Sequence, residues 1–164
     1  MQEFKNAILR IITDLFPCDL RDTIVVTGSP RSGTTWLSEL FRELPGYKML
    51  NEPLNLNSSV LARDVDRLEW RTHLLPETAA PEVEDLLHRA LTGRVAAPHM
   101  WRFRASTAVG RLVETVMNRN LVVKLIRAGR MLPWFSKRFP VRTIVSIFRH
   151  PCAVVASQMN YQDT

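Results

Sequence analysis

From residue 23 onward the chain alternates short apolar runs with amphipathic stretches. "TIVVT" (23–27) is a continuous β-branched run, the pattern of a strand buried on both faces. A turn bounded by Gly28 and Gly33 follows, then a predicted helix over roughly 34–44. Trp36, Leu37, Leu40, Phe41 and Leu44 form that helix's apolar stripe, and Pro45-Gly46 ends it. The segment "YKMLNEPLN" (47–55) reads as extended. Two later apolar runs, "LVVKLI" (121–126) and "VRTIVSIF" (141–148), read as strands. A helix is expected around 133–138. Another begins at Pro151, with Cys152, Val155, Ala156 and Met159 on one face.

The remaining segments are helical in pattern. Near the start, Phe4, Ile8, Ile11, Ile12 and Leu15 recur at helical spacing before Pro17, which predicts a packed amphipathic helix. Residues 58–106 read as helical. Within them, one helix is well punctuated, by Pro81 at its start, Glu82, Glu84 and Asp85 in its first turn, and Gly93 beyond its end. A further helix is expected over 107–118. Apolar strands alternating with helices predict an α/β fold with a parallel sheet flanked by helices on both faces, a three-layer sandwich like that of the P-loop NTPases. Residues 1–164 are expected to form a single domain, with ligand groups at the carboxyl ends of the strands.

Composition narrows the function. With 46% hydrophobic and 23% charged residues the chain is globular. Its net charge of +6 favours an anionic partner: a nucleotide, a nucleic acid or an acidic lipid surface. The basic residues are scattered, and the nearest thing to a stripe, Arg63, Arg67 and Arg71, reads as a solvated helix face. No nucleic acid is therefore expected. Two distant cysteines, Cys18 and Cys152, form neither a zinc motif nor a disulfide framework and suit a reducing, cytoplasmic location. Arg10 and Asp14 interrupt any signal-peptide core, and no run approaches the roughly 20 apolar residues of a membrane span.

The chemistry starts in "GSPRSGTTW" (28–36). Glycines at both ends of a turn let backbone N–H groups point inward, and the helix N-terminus behind them favours negative charge. Ser32, Thr34 and Thr35 supply hydroxyls, while Arg31 supplies a cation. The spacing of Gly28 and Gly33 is that of a nucleotide loop, yet Thr34 stands where the Walker lysine belongs. Kinases and NTPases also need Mg²⁺, held partly by a carboxylate at the end of another strand. The two later apolar runs reach Arg127 and Arg149 instead. Such a site is built for anions without a metal.

These residues resemble a family. "GSPRSGTTWL" is similar to the 5′-phosphosulfate loop of sulfotransferases that use 3′-phosphoadenosine 5′-phosphosulfate (PAPS). "IFRHPCAVVAS" (147–157) resembles that family's 3′-phosphate motif, an Arg after a strand and a Ser eight positions later, here Arg149 and Ser157. "VVKLIRAGRMLP" (122–133) is similar to the active-site lysine segment of cytosolic members and places Lys124 there. From the residues alone, Lys124 is equally a strand-end lysine. The resemblance implies transfer of a sulfuryl group from PAPS to a hydroxyl or amine of a small-molecule, carbohydrate or peptide acceptor, leaving 3′-phosphoadenosine 5′-phosphate. It implies that Ser29, Pro30, Arg31, Ser32, Gly33, Thr34 and Thr35 cradle the 5′ side. Arg31 and the loop amides then stabilise the leaving phosphate. Trp36 stacks on adenine, although it also suits a core, and Arg149 with Ser157 holds the 3′-phosphate.

Two departures qualify this. Ile126 stands where cytosolic members carry their histidine base. Another branch, including tyrosylprotein and carbohydrate sulfotransferases, is similar instead in placing a glutamate after the first helix. "NEP" puts Glu52 there, seventeen residues beyond Thr35, and its plainer reading is a loop residue before a proline. His73, His88, His99 and His150 match no catalytic position. Members also continue well past the 3′-phosphate motif, so residues 1–164 are expected to be an early-ending portion that binds nucleotide better than it catalyses. The competing readings are a P-loop kinase or NTPase with a degenerate loop and a non-catalytic nucleotide-binding fragment.

Overall fold

The computed structural model describes residue 8 and residues 11–55, 72–95 and 97–162. Phe4 and the stripe of Arg63, Arg67 and Arg71 lie outside the described residues. Five strands form one sheet in the order β3-β2-β4-β1-β5: β1 (Thr23–Gly28), β2 (Tyr47–Asn51), β3 (Trp101–Arg102), β4 (Asn120–Lys124) and β5 (Thr143–Ile147). All neighbours pair in parallel except the short edge strand β3, which runs antiparallel to β2. Residues 11–15 are helical, and among the described residues five α-helices follow β1: α1 (Thr34–Arg42), α2 (Pro81–Leu91), α3 (Ala108–Met117), α4 (Leu132–Arg138) and α5 (Pro151–Gln162). The sheet is flanked on both faces, as the alternating pattern predicts.

Side-chain alternation splits the interior in two. Val25, Leu50, Leu121 and Val123 face the larger cluster, closed by α2 and α4 through residues such as Leu86, Leu87, Trp134 and Phe135. Ile24, Val26, Tyr47, Met49 and Val122 face a smaller cluster, packed by Leu37 and Phe41 of α1 and by Ile147. Fully burying a large apolar side chain contributes about 1.5–3 kcal/mol, so the first face anchors the fold. Strand β1 lies between β4 and β5 and is buried along most of its length, and its two hydroxyls are satisfied. Thr23 Oγ1 donates to Leu91 O at 2.9 Å and Thr27 Oγ1 to Leu125 O at 2.8 Å.

Several expectations change. Residues 58–106 are not one helical region: among the described residues, 72–80 and 92–97 are turns and extended chain, and Trp101–Arg102 is a strand. "YKMLN" is a buried sheet strand rather than a mere extended piece. On α1 only Leu37 and Phe41 of the predicted stripe pack inward, beside buried Thr34 and Ser38; Trp36, Leu40 and Leu44 are exposed. Ser38 tolerates burial because its hydroxyl donates to Thr34 O at 2.7 Å. On α5, Cys152, Val155, Ala156 and Met159 are exposed, while Ala153, Val154 and Ser157 are half-buried. Near the N-terminus Thr13 is buried while Ile8, Ile11 and Leu15 face outward.

Candidate functional site

The loop after β1 is held open by backbone geometry. Gly28 has φ 152°, and a Cβ there would come within 2.5 Å of Ile147 O on β5. Glycine is required by this close approach. Gly33 has φ 92° and is the N-cap of α1, a left-handed conformation that favours glycine. Ser29 Oγ and Ser32 Oγ lie 2.7 Å apart across the loop, with Ser32 buried beneath it. The first turn of α1 therefore faces the cleft with its amides and the exposed Thr35, the arrangement that binds anions.

Beside this turn stands Lys124, at the carboxyl end of β4. Its Nζ donates to Thr35 Oγ1 at 2.7 Å and to Glu52 Oε1 at 2.8 Å. The lysine side chain is 5% exposed and that of Glu52 23%. Register explains the pairing: Asn51 is the cross-strand partner of Lys124, and the Glu52 amide donates to Lys124 O at 3.0 Å. Glu52 sits in the left-handed region at φ 50°. A non-glycine residue there is uncommon and often accompanies a functional constraint. Asn55 Nδ2 lies 3.5 Å from Glu52 Oε2. A carboxylate does close a strand end, that of β2, but Lys124 neutralises it.

The second half-site is built by α5 and the end of β5. Arg149 Nη1 donates to Arg31 O at 2.9 Å, and Arg31 Nε donates to Ser157 Oγ at 3.2 Å. The residues expected for the 3′ side thus lie against the loop expected for the 5′ side. Both halves open into one cleft of about 1000 Å³, large enough for a nucleotide. Among the expected site residues, Ser29, Pro30, Arg31, Gly33, Thr34, Thr35, Trp36, Glu52, Lys124, Arg149 and Ser157 line it, and Ser32 does not. Trp36 is 68% exposed and belongs to the cleft wall rather than to a core.

Sequence reasoning passed over several further lining residues, among them Gly129 and Arg130 after β4 and Phe148, 89% exposed just past β5. Their positions just past strand ends were the available signal. The histidines His73, His88, His99 and His150 are exposed and line no part of the cleft. Among the described residues no group of three His, Cys, Asp or Glu side chains is placed to hold a metal, and no helix is long and apolar enough to cross a membrane. A family model described as the sulfotransferase family matches residues 23–163. No curated protein and no solved structure matches the chain.

Proposed function

Since the chain belongs to the sulfotransferase family, we propose that it transfers a sulfuryl group from PAPS to a hydroxyl or amine of an acceptor. The observation that carries this reading is Lys124 Nζ, which bridges the anion-binding turn at Thr35 and the carboxylate of Glu52 in the cleft that also holds Arg149 and Ser157. An ammonium has three donors. Two are engaged here, which leaves the third, among the described residues, for a ligand oxygen.

In this reading the amides of the loop and Thr34 and Thr35 bind the 5′-phosphate, Arg149 and Ser157 bind the 3′-phosphate, and Trp36 lies against adenine. The acceptor oxygen or nitrogen attacks sulfur as the bond from sulfur to the phosphate oxygen breaks. The acceptor's proton passes to Glu52, whose Oε2 is not the oxygen bonded to Lys124. Negative charge grows on the departing phosphate oxygen, where fixed donors act most strongly. The product nucleotide is 3′-phosphoadenosine 5′-phosphate.

Calorimetric titration with that bisphosphate, AMP and ATP tests the donor site. The bisphosphate is expected to bind about ten- to a hundred-fold more tightly than AMP, the worth of charge-assisted contacts of roughly 1.5–3 kcal/mol, and EDTA is expected to leave binding intact. A preference for ATP, or strict dependence on Mg²⁺, favours a kinase or NTPase instead.

A further inference from the structure

We propose that Arg130 selects the acceptor, and that the acceptor carries a carboxylate or similar anionic group beside the hydroxyl or amine that is sulfated. This rests on the PAPS-donor reading above and names the acceptor class that the reading leaves open. The cleft lies between two turns that descend onto opposite faces of the sheet. One starts α1, which packs on the smaller cluster through Leu37 and Phe41. The other, after β4, leads into α4, which packs on the larger cluster through Trp134 and Phe135. In the donor reading the 5′-phosphate binds the α1 turn. In-line displacement puts the acceptor on the side of sulfur that faces away from the departing phosphate oxygen, hence away from α1. The wall on that side is the turn after β4.

Ile126–Met131 is a 3₁₀-helix, and its three-residue period sorts its side chains. Ala128 and Met131, 0% and 1% exposed, anchor it in the larger core. Ile126, Gly129 and Leu132 form the next row, and all three line the cleft. Arg130 lines it beside them and is exposed. A Cβ at Gly129 would meet nothing within 4 Å, so this wall offers a roomy, apolar strip with a guanidinium at its edge. The other basic side chains of the cleft stand elsewhere. Arg31 belongs to the loop after β1, Lys124 reaches that side at Thr35, and Arg149 follows β5. A guanidinium on the acceptor's wall pairs with a carboxylate through two parallel hydrogen bonds.

The test titrates two matched sets of probes into the chain saturated with 3′-phosphoadenosine 5′-phosphate. One set is para-hydroxyphenylacetate, para-cresol and tyramine; the other is glucuronate, glucose and glucosamine. In one set the carboxylate is expected to bind about tenfold more tightly than its neutral and cationic counterparts, and which set does so tells an aryl acid from a uronic acid. Arg130→Met is expected to abolish that preference and Arg130→Glu to turn it toward the amine, with bisphosphate affinity held within about twofold in both. Gly129→Leu, which projects into the cleft, is expected to exclude the probes and spare the bisphosphate. Thermal melting confirms that the variants are folded. Absent or equal binding within both sets, or a preference that survives Arg130→Met, overturns the assignment of Arg130 and leaves the donor reading standing. Loss of the bisphosphate in Gly129→Leu gives this wall to the donor and likewise overturns the proposal. A wild-type chain that does not bind the bisphosphate overturns the donor reading and this inference with it.

Discussion

Two lysines lie buried in neighbouring parallel strands, Lys48 in β2 at 1% exposure and Lys124 in β4 at 4%. They stand at opposite ends of the sheet and keep opposite company. Lys48 Nζ donates to Thr115 O in the last turn of α3 at 2.8 Å and lies 5.5 Å from the centre of the Trp101 ring, near the Cys18 thiol. A cation at a helix C-terminus is where the helix dipole wants it. Lys124 instead meets Thr35 in the first turn of α1, where the same dipole opposes a cation. Glu52 offsets that cost in the structure described, and an anionic ligand would offset it further. A buried charge by itself marks no site. A buried charge set against the local field, at the carboxyl end of a parallel sheet, makes a candidate for one.

The contrast is broken most directly at Glu52. Glu52→Gln is expected to lower sulfuryl transfer by about 10²–10⁴-fold, the range for a general base, with bisphosphate affinity nearly unchanged. Unchanged turnover would reduce Glu52 to the counterion of Lys124. Lys124→Met follows, with an expected loss of about 10²–10³-fold in turnover, as for removal of one donor to developing charge. Steady-state rates measured alongside bisphosphate titrations separate that loss from a loss of binding.

Lys48→Met sharpens the other side of the comparison, and its expected effect is on stability rather than on turnover. Burial holds the Lys48 amine below its ordinary pKa of 10.5, although the neighbouring thiol pulls it back up. Between the folded value and 10.5 the unfolded chain binds the extra proton, so stability rises with pH through that window. Burial pushes the Cys18 thiol above its ordinary 9.0, with Lys48 opposing. Above 9.0 the unfolded thiol ionises first and stability falls. Up to 10.5 the rising Lys48 contribution opposes the falling thiol contribution above 9.0, so Lys48→Met is expected to steepen the loss of stability with pH above 9.0. Urea unfolding at stepped pH measures it. An unchanged slope would show that burial does not lower the Lys48 pKa in the fold. At neutral pH the substitution should change stability by less than about 2 kcal/mol, since removing a desolvated charge offsets the orphaned Thr115 carbonyl.

The parts of the site carried by one contiguous strand, turn and helix were legible. Gly28 and Gly33 announce a loop whose backbone needs φ > 0, and Arg149 with Ser157 spans a single strand end and helix. Lys124 and Glu52 were each legible as candidates, but not as a pair. Their 2.8 Å contact depends on β2 lying beside β4 with Asn51 opposite Lys124. The stripe of α1 was over-read because it reports that a helix is amphipathic, not how much of it a flat sheet covers; on α5 the half-buried face is Ala153, Val154 and Ser157 rather than the expected one. Strand β3 was missed because two residues carry no periodicity.

By itself, the sequence determined the α/β alternation and the glycine-bounded loop after β1, since short-range backbone preferences and side-chain period are encoded where they act. Only the tertiary structure decided that Lys124 neutralises Glu52 and that Arg31 turns toward Ser157. Those contacts join residues 72 and 126 positions apart, and strand order and register, not local preference, bring such groups within hydrogen-bonding distance.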